Sequence, residues 1–272
     1  MEQNLKDILL DDYPRLSLDS KFKFSCHKGL PCFNTCCRDV NIFLTPYDVL
    51  RMKNALDISS GEFLGKYTIP LTLKEQKLRV VVLKMRDDED KTCPFVTPEG
   101  CKIYQDRPWP CRIYPVGMAS QITQKGDENF YFIADTKFDC SGFNEDREWT
   151  VEEWLSDQGA DIYNKRSQAY KEITLHKLFQ QGKGIGPSKL QMFYMACYDL
   201  DRFRKQLFES NFFNLFDIEE ETIKKMETDD EELLDFSARW LRFSLFGENT
   251  VKVKDEVLAR KKKELDGIRG IT

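Results

Sequence analysis

Eight of the nine cysteines fall before residue 141, at positions 26, 32, 36, 37, 93, 101, 111 and 140, and the ninth is Cys197. The stretch FSCHKGLPCFNTCC (24–37) alone holds four and ends on an adjacent pair. Thiols gathered this tightly constrain a fold, because they must be oxidised, bound to metal, used as a redox pair or packed as small apolar groups. An odd count suits a disulfide framework badly. The opening residues, MEQNLKDILLDDYPRL, carry acids and only a brief apolar run, so neither a signal nor a transit peptide is expected. No stretch approaches the roughly eighteen apolar residues of a membrane span. The expectation is a cytoplasmic protein with no membrane association, in a compartment where thiols stay reduced.

A chain of 272 residues can bury a core without staples. Its net charge of −5 argues against a nucleic-acid footprint, which needs clustered Lys and Arg. The chain after Cys197 has no cysteine and is rich in charge. The expected fold class is α+β: an irregular cysteine-rich metal-binding core with a small antiparallel sheet and short helices, then a mainly helical C-terminal part. The expected division is an N-terminal segment over 1–21, a cysteine-cluster domain over 22–165, and a helical extension packed on it over 166–272.

Local signals fill in this outline. Thr45, Pro46 and Asp48 predict a helix start, with Val49, Met52 and Leu56 at near-helical spacing. Ser59 and Glu62 stand at capping-box spacing before another short helix. KLRVVVLKM (77–85) reads as a strand, and GMASQIT and NFYFIAD as a hairpin around QKGDE. From a Thr150–Glu153 capping box the chain turns helical, with further helices expected around 187–209, 217–245 and 250–266.

If residues 32–37 made one helical turn, Cys32 and Cys36 would share a face, whereas Cys36 and Cys37 would diverge by about 100°. Adjacent thiols on a helix therefore suit different ions, different irons of one cluster, or a supporting role for one of them. Cys93, Cys101 and Cys111 stand beside Pro94 and the Pro98–Gly100 turn, and Cys140 lies two residues before Gly142. The candidate metal ligands are thus Cys26, Cys32, Cys36, Cys37, Cys93, Cys101, Cys111 and Cys140, which divide arithmetically into two sets of four. Soft thiolates favour zinc or an iron–sulfur cluster over magnesium, calcium or manganese. Of the two histidines, only His27 stands near enough in sequence to join. Cys197, in the helical QMFYMACYDL, reads as packing.

The block CPFVTPEGCKIYQDRPWPCRIYP (93–115), preceded by the Cys36–Cys37 pair, resembles the YkgJ-type cysteine-cluster family, described as zinc- or iron-chelating. LTPYDVLRM and DCSGFNEDREWTVEEWL also look like longer members, so the resemblance spans about 22–165. The first block departs from the family's C-x-x-C-x-x-C-C pattern, with five residues between Cys26 and Cys32 and three between Cys32 and Cys36. The resemblance implies metal binding by the cysteines, and it reaches distantly to flagellin lysine N-methylases. A methylase using S-adenosylmethionine would show a Gly-rich loop after a strand, and QQGKGIGPS (180–188) follows an expected helix instead.

Three functional readings remain. The leading one is an iron–sulfur protein, 4Fe-4S favoured, acting in electron transfer or redox-linked modification, with a protein substrate or redox partner. The second fills the same thiolates with structural zinc, giving a scaffold or interaction module. The third is a lysine N-methylase-like enzyme. Among other residues, Arg107, Arg112 and Tyr104 read equally as donors to an anionic site or as surface salt-bridge partners. Asp48 reads as a cap, Trp149 and Trp154 as packing, and the runs METDDEEL and ARKKKE as solvated helix ends and faces.

Overall fold

Thr45 opens the first long helix as its sequence predicts: its hydroxyl accepts the Asp48 N–H, and the Asp48 carboxylate accepts the Thr45 N–H. The computed structural model describes residues 14–73, 77–123, 126–134, 139–180 and 184–269. In chain order its elements begin with β1 (Lys21–Lys23), β2 (Phe43–Leu44), α1 (Pro46–Ala55), α2 (Ser60–Tyr67), β3 (Thr68–Thr72) and β4 (Arg79–Leu83). A short hairpin of β5 (Val96–Thr97) and β6 (Gly100–Cys101) precedes α3 (Trp109–Ile113). The long hairpin of β7 (Val116–Thr123) and β8 (Gly126–Ile133), then β9 (Glu148–Thr150), α4 (Val151–Asp157) and α5 (Ala160–Thr174), follow.

The remainder is helical: α6 (Lys177–Gln180), α7 (Pro187–Tyr198), α8 (Leu200–Phe208), α9 (Phe212–Leu215), α10 (Glu220–Thr228), α11 (Asp230–Phe246) and α12 (Asp255–Arg269). One small strand pair interrupts it, β10 (Phe216–Asp217) with β11 (Lys252–Val253). The fold is α+β, with small antiparallel sheets and the helical part in the C-terminal half.

The chain divides into two units: Met1–Asp57 with Lys66–Pro70 and Val81–Ser167, and Ile58–Gly65 with Leu71–Val80 and Gln168–Thr272. In the first, β1 pairs antiparallel with β9, setting Phe22 opposite Trp149, and β2 pairs with β4. Its core gathers Phe24, Ile113, Val116, Trp149, Val151, Trp154 and Leu155. Phe24 meets Trp154 edge-on at 5.5 Å, and Trp149 meets Trp154 at 5.2 Å. Both indoles satisfy their N–H inside this core, Trp149 on the Phe24 carbonyl at 2.9 Å and Trp154 on the Ile113 carbonyl at 2.8 Å. The two tryptophans are packing residues, as expected.

The expected hairpin forms, but its second strand starts earlier than its sequence suggests. Gly126, Asp127 and Glu128 pair with Thr123, Ile122 and Gln121. Ladder bonds are made by backbone groups, so polar side chains do not end a strand. Residues 124–125 of that turn lie outside the described residues.

The second unit breaks each long helix the periodicity suggests. Asp199 leaves helical geometry between α7 and α8, and its carboxylate accepts the buried Ser60 hydroxyl at 2.8 Å. Asp229 leaves it between α10 and α11 and accepts the N–H groups of Glu231 and Glu232. Gly247, at φ 72°, ends α11 in the left-handed conformation that glycine adopts at no steric cost. In the first unit Gly159, at φ 63°, likewise separates α4 from α5. Apolar spacing runs on through these points, whereas caps and left-handed residues decide where hydrogen bonding stops. Cys197 is 3% exposed on α7, among Ala196 and Tyr198, and serves packing.

Candidate metal centre

The Cys36–Cys37 pair is held by an irregular turn. Asn34 adopts φ 69°, a left-handed conformation that asparagine tolerates, and starts a 3-10 turn over Thr35–Cys37. The expected six-residue helical turn is therefore absent; Cys32 lies before the 3-10 turn and connects to it through Thr35 N–H to the Cys32 carbonyl, 3.0 Å. With three residues per 3-10 turn, neighbouring side chains leave about 120° apart. Cys36 and Cys37 thus diverge at the front of the first unit.

Backbone bonds then bring Cys37 to the second block. The Cys93 N–H donates to the Cys37 carbonyl at 2.8 Å, and Arg38 bridges Thr92 in antiparallel register. Asn34 Nδ2 donates to the Thr97 carbonyl at 2.9 Å, tying the same turn to the β5–β6 hairpin. That hairpin sets Val96 opposite Cys101, and Gly100 at φ 118° occupies a backbone region hostile to side chains. Cys111 stands on α3, whose first N–H, that of Trp109, donates to Asp48 Oδ1 at 2.7 Å.

A second convergence lies on the other side of the pair. The Ser25 N–H donates to the Gly142 carbonyl at 3.0 Å, which sets Cys26 beside the Cys140 loop. A Cβ on Gly142 would sit 2.7 Å from the Phe24 ring and 2.8 Å from the Ser25 carbonyl oxygen, so this approach needs glycine. Cys32 and Cys140 both pack into the aromatic core around Phe24.

All nine cysteines are free thiols, and the eight candidates lie in the first unit. Cys26 and Cys111 are exposed, Cys32, Cys36, Cys37, Cys93 and Cys101 are half-buried, and Cys140 is buried. The Cys37 thiol donates to Cys36, bringing Cys36 down to about 7 and raising Cys37. Cys140 donates to Cys32. Burial raises Cys93 and Cys101, against backbone N–H groups of Phe95 and Val96 directed at the first and of Ile103 at the second. Cys26 feels the charges of Cys36, Cys140 and Cys32, and Cys111 those of Cys93, Cys36 and Cys101.

His27 does not join them. Its Nδ1 accepts the Gly29 N–H at 3.1 Å and its Nε2 faces Glu145 at 3.4 Å. Among the described residues no group of three or more His, Cys, Asp or Glu side chains already has the arrangement that holds a metal ion. Ligation would have to draw the sulfurs together from hydrogen-bonded and electrostatic neighbours into a coordination shell.

The donor chemistry around them fits such a charge. Arg107 and Arg112 are 7% and 6% exposed, which excludes surface salt bridging. Arg107 donates to the Tyr104 carbonyl and Gln158 Oε1, and lies 3.9 Å over the Tyr104 ring. Arg112 donates to the Gln158 and Gln105 carbonyls at 2.6 Å each and to the Tyr163 hydroxyl. Neither meets a carboxylate; Arg107 feels Cys111 and Cys101, and Arg112 acts on Asp48 from a distance. Buried charge normally requires a counter-charge. Two polar atoms are also orphaned: Arg112 Nε, next in sequence to Cys111, and the Tyr114 hydroxyl, which feels Cys140, Cys36 and Cys32. Thiolates carrying a metal centre would supply the anions and sulfur acceptors these groups lack.

Sequence reasoning missed Tyr114 and the second task of Asp48. Asp48 is fully buried and joins the α1 cap to the start of the Cys111 helix, and burial pushes its carboxyl up to about 6. Only the capping-box spacing was legible. The Gly-rich segment at 180–188 forms no loop after a strand: α6 ends at Gln180, Gly186 precedes α7, and residues 181–183 lie outside the described residues.

The conserved-block comparison decides the family. Residues 25–148 match the family model CxxCxxCC, described as "Putative zinc- or iron-chelating domain". Residues 25–148 are a CxxCxxCC-family domain. The match takes in all eight candidate thiols and supports metal binding by this domain. No curated protein and no solved structure matches the chain, and the likeness to flagellin lysine N-methylases gains no support. Among the described residues no helix is long and apolar enough to cross a membrane.

Proposed function

We propose that the thiols of the CxxCxxCC domain hold an iron–sulfur cluster, 4Fe-4S favoured, and that the protein serves electron transfer or a redox-linked modification of a protein partner. The observation that carries this reading is eight unoxidised thiols in one unit beside two buried guanidiniums that meet no carboxylate. When bound, such a cluster supplies one-electron redox chemistry. The chain's own part is electrostatic. Arg107 and Arg112 would offset thiolate charge, and the N–H groups of Phe95, Val96 and Ile103 directed at Cys93 and Cys101 would stabilise their anionic form. Exposed Cys26 and Cys111 put ligand sulfur at the surface, where a partner protein can approach.

Structural zinc is the second reading, and the all-cysteine donor set favours it: four thiolates close a zinc site and leave no open position for substrate. Anaerobic purification with iron, zinc and sulfide analysis separates the two. A brown protein with iron and acid-labile sulfide is expected; a colourless one with stoichiometric zinc would replace the cluster with a scaffold.

A further inference from the structure

Cys36 and Cys37 are adjacent in sequence, yet their surroundings differ. On one side, the Ser25–Gly142 backbone bond sets Cys26 beside Cys140, and Cys140 donates to Cys32. On the other, the Cys93–Cys37 backbone bond and the Arg38–Thr92 bridge seat Cys37 against the Cys93 loop, while the β5–β6 pairing brings in Cys101. The electrostatic neighbours divide in the same way. Cys26 feels Cys32, Cys36 and Cys140. Cys37 feels Cys93 and Cys111 besides its own partner Cys36, and none of Cys26, Cys32 or Cys140. Each side also holds an orphaned buried donor, Tyr114 Oη on the first and Arg112 Nε on the second.

We infer that the domain carries two neighbouring metal centres, one held by Cys26, Cys32, Cys36 and Cys140, the other by Cys37, Cys93, Cys101 and Cys111. The boundary between them runs through the 3-10 turn, where a divergence of about 120° sends consecutive thiols to different sets. This explains why the chain needs adjacent cysteines: one residue of separation on an irregular turn serves two four-sulfur sites, each matching the ligand number of zinc or of an iron–sulfur cluster. The inference rests on the reading of these thiols as metal ligands, and it is independent of which metal they hold.

The test uses cobalt(II) alone, added without oxygen to the reduced, metal-free full-length protein. Bound metal is counted after gel filtration, and thiolate ligation is followed by visible absorption. About two equivalents are expected for the unaltered chain. Cys26→Ser and Cys111→Ser remove exposed thiols, so packing is least disturbed; far-UV circular dichroism checks that each variant keeps its fold. Each should retain about one equivalent, Cys26→Ser with Cys140→Ser still about one, and Cys26→Ser with Cys111→Ser almost none. One equivalent in the unaltered chain would overturn the division without any variant. So would a folded single variant that loses all its cobalt or keeps both equivalents. A colourless zinc protein that takes two equivalents of cobalt would refute the iron–sulfur reading and leave the division standing; a brown protein with one centre would do the reverse.

Discussion

Replacing Asp48 with asparagine tests the account of how α1 and the Cys111 helix are joined. The carboxylate is fully buried and accepts three hydrogen bonds: Oδ1 from the Trp109 N–H at 2.7 Å, and Oδ2 from the Thr45 N–H and hydroxyl at 2.8 Å each. Burial outweighs these donors and lifts its pKa from 3.8 to about 6. A carboxyl raised on folding holds its proton more tightly in the native chain. Its contribution to stability is therefore complete at low pH and is lost as pH rises through about 6. Integrating the two titrations gives about 1.3 kcal/mol more stability from this group at pH 5 than at pH 7.

Asparagine keeps the shape but does not titrate, and its NH2 must face donors that the carboxylate accepted. At pH 7 the lost bonds, about 1–3 kcal/mol, oppose relief of a charge buried at comparable cost, so the net change there is small. The pH dependence is the decisive quantity. Urea unfolding of the metal-free, reduced protein at pH 5 and pH 7 and constant ionic strength should show Asp48→Asn losing about 1.3 kcal/mol more, relative to the unaltered chain, at pH 5. A difference that is equal at both pH values, or larger at pH 7, would refute the claim that a buried, strained carboxylate ties these elements together.

Gly142→Ala forces a Cβ to within 2.7 Å of the Phe24 ring and 2.8 Å of the Ser25 carbonyl; a loss of about 1–3 kcal/mol in thermal or urea unfolding is expected, with weaker metal retention at Cys26 and Cys140 but not at Cys93. Arg112→Lys cannot reproduce the fork to the Gln158 and Gln105 carbonyls; it should cost about 1–3 kcal/mol by the same assay and lower metal affinity, measured by competition with a chelator. Cys197→Ala removes a thiol buried in the second unit; metal content by elemental analysis should be unchanged while stability falls by about 1 kcal/mol.

Capping chemistry was legible in the chain itself, because it depends on residues three apart. Thr45 with Asp48 and Thr150 with Glu153 both form the reciprocal boxes their spacing predicts. The strand at 79–83, the hairpin after α3 and the apolar role of Cys197 were legible for the same reason: propensity and periodicity are local. Helix breaks at Gly159, Asp199 and Asp229 were harder to read, since the apolar pattern continues across them and only backbone geometry ends each helix. Arg107 and Arg112 were undecided between surface and interior, a matter fixed by what Gln158 and Tyr163 bring from far along the chain.

By itself, the sequence determined that this protein would gather soft sulfur donors before residue 141 and follow them with helices, because residue type and short-range spacing carry that information. Only the tertiary structure decided which thiols are neighbours. Cys26 meets Cys140 and Cys37 meets Cys93 through backbone bonds between segments more than fifty residues apart, and a left-handed Asn34 turns the adjacent pair. Contacts at that separation depend on how the whole unit closes around Phe24 and its aromatic partners, which no local pattern of residues encodes.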